Sequence, residues 1–232
     1  MMKRLCGIAL LFFVAFQSLA QDDSRPKQPD LPGDLMIDYG FSYWSKKLDH
    51  LPVKVIGSNS VSIFYNRRFE INEKFSFHPG GGFSFEKYAF SGDNTWRFDN
   101  TTNKVGLDTL GGSGLTKNKL TTTYFEIPFE LRYHPLGTVN GEGWFIGLGG
   151  IAGLRLASHT KVKYDEATGS IKEKVYDDFG LKAYRYGVQL RFGFRSIHFF
   201  YKVYLSDLFD SAPDLSGRMP RTSTIGINIS GF

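Results

Sequence analysis

The chain has 232 residues, with 28 Lys and Arg against 23 Asp and Glu and a formal charge of +5. So mild an excess carries no nucleic-acid footprint. The single cysteine, Cys6, lies near the start, so the rest of the chain has no disulfide framework and no thiol for metal or nucleophilic chemistry.

Met1 to Ala20 reads as a secretory signal. Lys3 and Arg4 form its charged end, Ile8 to Phe16 its apolar core, and Ser18-Leu19-Ala20 a small-x-small cleavage site before Gln21. The apolar run is too short for a membrane-spanning helix, and Cys6 is not placed to become a lipidated first residue. Removing residues 1–20 leaves 212 residues and a charge of +3, because Lys3 and Arg4 depart. Residues 21–34 hold Pro26, Pro29 and Pro32 among charges and read as a periplasmic N-terminal extension.

From residue 35 to residue 232 the chain alternates with a period of two, the mark of strands with chemically different faces. Leu35, Ile37, Tyr39, Phe41 and Tyr43 give strand one, with Asp38, Gly40 and Ser42 between them; residues 45–57 follow as a polar loop. Strand two spans residues 58–69, with Val61, Ile63, Tyr65 and Arg67 in the apolar phase, the last at headgroup level. After a turn at Glu70–Glu73, strand three places Phe75, Phe77, Phe83 and Phe85 opposite in phase to Ser76, His78, Ser84 and Glu86; Pro79 and Gly80 to Gly82 predict a bulge or bend. Residues 91–118 read as a long polar loop. Strand four alternates Phe125, Ile127, Phe129, Leu131 and Tyr133 with Tyr124, Glu126, Glu130 and Arg132. A turn at 134–142 leads to strand five, where Trp144, Ile146, Leu148, Ala152, Leu154 and Leu156 oppose Gly147, Gly149, Gly153 and Arg155. Residues 158–180 read as another charged loop. Tyr184 to Phe194 and Ile197 to Leu205 form a tight hairpin, strands six and seven. After a loop at 207–221, residues 222–232 make the last strand, with Ile225, Ile227 and Ile229 in phase.

A soluble barrel would turn the apolar phase inward. Here that phase is dense and uncharged over the roughly ten residues a tilted strand needs to cross a bilayer, and the other phase is rich in Gly and Arg. The fold class expected is therefore all-β: an eight-stranded antiparallel transmembrane up-and-down barrel of outer-membrane type. Long and short connections alternate, which puts both chain ends on the periplasmic, short-turn side and the long loops outside. Tyr43, Trp44, Tyr88, Phe90, Tyr133, Trp144, Tyr184 and Phe194 stand at strand ends as aromatic girdles.

Strand four, Tyr124-Phe-Glu-Ile-Pro-Phe-Glu-Leu-Arg-Tyr133, resembles the Y-x-E-I-P-x-x-x-K/R-Y stretch of the PorT family, also called the outer membrane protein β-barrel domain, small OmpA/OmpX-like barrels of the Bacteroidota. His78-Pro79-Gly80-Gly81-Gly82 is similar to that family's Q-P-G-x-x-Y/F strand, with His78 in place of the amide. Ile229-Ser230-Gly231-Phe232 is similar to the terminal signal through which barrel-assembly machinery acts, although Phe232 lies on the opposite phase from Ile225 to Ile229. The resemblance implies the barrel fold, and for one member class an accessory role in secretion.

Eight strands enclose a lumen that side chains fill, which disfavours an open porin channel. The sequence predicts a lumen salt-bridge network joining Glu86, Glu126 and Glu130 to Arg185, Arg191 and Lys202, with Asp38 within reach. If Arg195 lies opposite His198, Arg191 falls opposite Lys202, and such like charges demand acids. The acids would reach them from the far side of a narrow barrel. No catalytic, cofactor or metal residue is assigned. The His-x-Ser pair of one barrel deacylase family does not occur, and Ser158 and His159 would point to opposite faces. Asp93, Asp99, Asp207, Asp210 and Asp214 match no calcium-loop motif. Asp108-Thr109-Leu110 and Asp210-Ser211-Ala212 resemble the phylum's short O-glycosylation sequence. The function expected is a non-enzymatic, monomeric barrel with a structural, interaction or secretion-accessory role. Its partners are outer-membrane lipid and lipopolysaccharide, the assembly machinery at Phe232, and a secretion-system or extracellular protein. The alternative is an outer-leaflet lipid-modifying enzyme.

Overall fold

The computed structural model describes residues 33–46, 48, 51–99, 104–110, 115–136, 143–166, 169–210 and 219–231. The expected signal, most of the N-terminal extension, and Phe232 lie outside them. Among the described residues, twelve strands run in chain order: β1 Asp34–Trp44, β2 Val53–Asn66, β3 Phe69–Glu70, β4 Phe75–Phe90, β5 Asn94–Asp99, β6 Lys104–Thr109, β7 Leu115–Tyr133, β8 Trp144–Glu166, β9 Gly169–Tyr176, β10 Tyr184–Phe194, β11 Ile197–Tyr204 and β12 Thr222–Ser230. Eight of them close a ring in the order β1, β2, β4, β7, β8, β10, β11, β12 and back to β1, every pairing antiparallel. Closure leaves this ring no unpaired edge.

The two phases separate as a membrane barrel requires. Ile37, Phe41, Phe83, Ile127, Leu148, Leu154, Tyr186, Phe192 and Ile227 all stand on the outside with 37–65% of their surface exposed, while Asp38, Ser84, Glu126, Glu130, Arg185 and Arg191 are buried inside. Apolar side chains that face water in a soluble protein would forfeit the burial that folds it; facing lipid, they lose nothing.

Several boundaries differ from the sequence reading. Residues 53–57, read as loop, begin β2, which carries a register irregularity between Lys54 and Asn59. Residues 67–69 leave β2, and Phe69–Glu70 pairs separately with β4. The segment 91–118 contains the β5–β6 hairpin and the start of β7. The segment 158–180 extends β8 to Glu166 and pairs it with β9, and the last strand ends at Ser230. No bulge interrupts β4 at the glycines. Pairing with β2 continues through Gly80, Gly81 and Gly82, and a Cβ on Gly82 would collide with the Ile63 carbonyl and Phe64, so the glycine serves close approach.

The hairpin register also differs. The turn is Arg195–Ser196, with Arg195 in the left-handed region at φ 51°, so Gly193 faces His198, Arg191 faces Phe200, and Lys202 faces Gln189. Like charges do not meet across this pair.

Three of the expected girdle aromatics point inward. Trp44, Tyr88 and Phe90 are buried in a cluster with Leu51, Trp96, Leu120, Phe179, Leu181 and Phe209 inside the long-loop end. Trp44 shares the inward phase of Asp38 and Ser42; that phase is polar in mid-barrel and turns apolar at this end. Tyr133, Trp144, Tyr184 and Phe194 are exposed on the outer surface, and Tyr43 is half-buried there.

Candidate functional site

The lumen of mid-barrel is built around β8. Its inward residues Gly147, Gly149 and Gly153 carry no side chain, and each lies in register between β7 and β10: Gly153 between Glu126 and Arg185, Gly149 between Glu130 and Gln189, Gly147 between Arg132 and Arg191. The acids of β7 therefore lean over bare backbone to reach the bases of β10. Arg185 Nε donates to Glu126 Oε1 at 2.8 Å and its Nη1 to Glu86 Oε2 at 2.8 Å. Arg191 Nε donates to Glu130 Oε2 at 3.0 Å, and its Nη1 reaches Asp38 Oδ1 at 3.2 Å. Lys202 Nζ lies 2.6 Å from Asp38 Oδ2, and Arg132 Nε 2.6 Å from Glu130 Oε1.

The six residues singled out from sequence, Glu86, Glu126, Glu130, Arg185, Arg191 and Lys202, thus come together. Asp38 and Arg132 complete the set, giving four acids and four bases, so the charges of these eight residues cancel. β7 and β10 are not across the barrel from one another; only one strand separates them. Neutral donors add further hydrogen bonds to three of the carboxylates. Tyr204 donates to Glu126 at 2.7 Å, Tyr88 to Glu86 at 2.5 Å and Asn228 to Asp38 at 2.6 Å, and Ser84 also donates to Glu126. Rings cover the cations: the Arg185 guanidinium lies 3.5 Å from the Tyr124 ring centroid and 4.0 Å from that of Tyr204. A buried charge is tolerable only when so paired.

Above this layer the apolar cluster caps the lumen. Trp44 packs edge-on against Phe209 at 5.8 Å, and Trp96 of the β5–β6 hairpin lies 5.0 Å from the same ring. At the short-turn end a cavity of about 210 Å3 is lined by Arg68, His78, Arg132, His134, Arg195 and His198, among others. Here Ser76 Oγ sits between the Nε2 atoms of His78 at 2.9 Å and His134 at 3.0 Å. On β4 the order is Ser-x-His, the reverse of a His-x-Ser pair. Ser76 and His78 share the inward phase of β4, but His134 arrives from the far end of β7, which no local pattern announces. Burial, with Arg132 and Arg68 nearby, holds His134 below the usual imidazole range. Among the described residues, no group of three or more His, Cys, Asp or Glu is placed to hold a metal ion. Ser158 is buried and His159 half-buried on the outer face; Asp207 pairs with Arg221 at 3.0 Å, and Thr109 donates to Asn94 at 3.0 Å. Asp214 and Ser211 lie outside the described residues.

Closed ring, apolar exterior and charged, plugged lumen define an outer-membrane β-barrel protein. Residues 38–209 match the model of the outer membrane protein beta-barrel domain family, and the chain belongs to that family. No curated protein matches the sequence. Among solved structures it is similar to Ail, the attachment invasion locus protein of Yersinia pestis, at 16% identity over 87% of this chain and 100% of that one, with a TM-score of 0.37. It is also similar to the Salmonella typhi outer membrane phospholipase dimer with bound calcium, at 8% identity over 88% and 94% and a TM-score of 0.23. A Rhodopseudomonas blastica porin triple mutant matches at 10% identity over 86% and 99%, with a TM-score of 0.20.

Proposed function

We propose that this chain is a non-enzymatic, plugged outer-membrane scaffold that acts as a monomer, with its short-turn end in the periplasm and its long-loop end offered to a partner outside the cell. That partner is a component of a protein secretion system, as the resemblance to the PorT family implies for one member class, or another extracellular protein. One observation carries the reading: the lumen is filled twice over, by a charge-neutral ion-pair layer and by an apolar cap. Such an interior favours rigidity over passage of solutes, and loops on a rigid scaffold commonly carry recognition.

Deletion of the gene is expected to leave the acyl count of lipid A unchanged in mass spectra while altering secretion or adhesion. A lipid-modifying enzyme is the second reading, and the Ser76–His78 contact is the observation in its favour. Ser76, however, faces the lumen, whereas an acyl chain approaches from the outside. A changed acyl count that Ser76→Ala reproduces would replace the scaffold with the enzyme.

A further inference from the structure

Beyond the apolar band, the outer face of β4, β7, β8 and β9 turns basic. Lys119 of β7, Lys161 of β8 and Lys174 of β9 stand directly opposite one another in one row across three strands. The next row outward repeats the arrangement with Lys117, Lys163 and Lys172. Like charges directly opposite are unfavourable in a sheet. On this face Lys163 pairs with Asp165 at 2.7 Å. Towards β2 the first row bounds a depression of about 220 Å3 lined by Lys54, Lys87, Lys117 and Lys119. Crowding leaves a mark: burial, Lys87 and Lys161 push the Lys119 ammonium below the usual lysine range.

The position of these rows selects the ligand. Lys87 and Lys119 continue the lipid-facing phase of β4 and β7. Lys87 is two residues past Phe85, and Lys119 is six past Phe125. At about 3.3 Å per residue and a tilt of about 40°, those steps rise roughly 5 and 15 Å above the apolar side chains, the depth of headgroups. Ile56, 88% exposed beside Lys54, offers an apolar contact at the same level.

We propose that this face binds the phosphate groups of a phosphorylated glycolipid, of the lipopolysaccharide type, in the leaflet at the long-loop end. The leaflet named rests on the orientation proposed above; the site does not. Anionic headgroups would relieve the repulsion between rows, and the lysines would fix lipid around one side of the barrel.

The test is binding of diphosphoryl lipid A to the full barrel refolded in zwitterionic detergent, read by native mass spectrometry. Dephosphorylated lipid A and heparin serve as comparisons. The wild-type barrel is expected to retain diphosphoryl lipid A and lose it as salt rises. The triple variant Lys119→Gln, Lys161→Gln, Lys174→Gln is expected to bind about a hundredfold more weakly, at roughly fivefold per lysine. Equal retention of the dephosphorylated lipid by the wild type would overturn the proposal, and needs no variant to fold. Tighter binding of heparin than of lipid A would also overturn it, in favour of a soluble polyanion. Because the assay is in micelles, its failure is separable from a failure of the orientation, which thiol labelling on cells decides.

Discussion

Glu126 and Arg185 meet at 2.8 Å over Gly153, the residue opposite both of them in the sheet. The pair exists because the strand between them has no side chain in the way. Arg185 also holds Glu86, so its loss strands two buried carboxylates. Arg185→Met is expected to cost about 3–5 kcal/mol, and adding Glu86→Gln and Glu126→Gln to recover most of it, because a lone buried charge is the expensive state. Urea unfolding of the refolded barrel, followed by gel mobility, measures both.

The glycines of β8 make a second prediction. A Cβ on Gly147 would lie 2.6 Å from Glu130 Oε1, so Gly147→Ala displaces a carboxylate that side-chain rotation can partly restore. A Cβ on Gly149 would meet the Phe129 carbonyl and Glu130 Cα, which cannot step aside. Gly149→Ala is expected to be the more damaging, by roughly 1–3 kcal/mol or more, the cost of forcing atoms into a packed site. The same unfolding midpoint ranks the two.

The cap predicts a third outcome. Trp96 is fully buried, and its ring packs on Phe209 although it comes from a hairpin outside the ring of eight strands. Trp96→Ala is expected to cost about 3–5 kcal/mol. It should also raise amide hydrogen exchange in β5 and β6 far more than in β7. Unchanged exchange there would mean that the hairpin holds itself without the cap.

His159 gives a pH dependence. Burial, with Lys174, Lys119 and Lys161 around it, lowers its pKa from the ordinary 6.5. The folded imidazole therefore stays neutral while the unfolded one takes a proton. Its contribution to stability is fully present above about pH 6.5 and declines as pH falls below that value. His159→Gln should flatten this part of the stability profile. Diphosphoryl lipid A should raise the His159 pKa seen by NMR, since an anion favours the charged ring.

Orientation is tested by thiols placed at the two ends. Lys172→Cys on β9 is expected to react with an impermeant maleimide on intact cells, and Asn72→Cys at the short turn only after lysis. The reverse pattern would invert the barrel. Cys6, the only native thiol, lies in the stretch read as a signal.

The outward and inward sets of β1, β4, β7 and β10 were legible in the sequence, because a period of two assigns each residue a face as soon as one face is known. That rule names Glu126, Glu130, Arg185 and Arg191 as lumen residues, but not their partners. Partners depend on ring order and register, which non-local hydrogen bonds set. Up-and-down order already sets β8 between β7 and β10; the structure decided the register, so that Gly147, Gly149 and Gly153, in sequence merely small, became the passage for the ion pairs. Phase alone also fails where the ladder slips. The register shift where Thr123 faces Ala157 but Tyr124 faces Arg155 inserts a residue into β8, which turns Lys161 and Lys163 outward beside Lys119 and Lys117. Without that one residue the lysine rows would not form. Trp44, Tyr88 and Phe90 share the inward phase of Ser42 and Glu86, which alternation already shows; that they form a cap rather than a girdle is settled by Trp96 and Phe209, distant in sequence, packing against them. Local alternation determined the faces, and long-range register determined what meets on them.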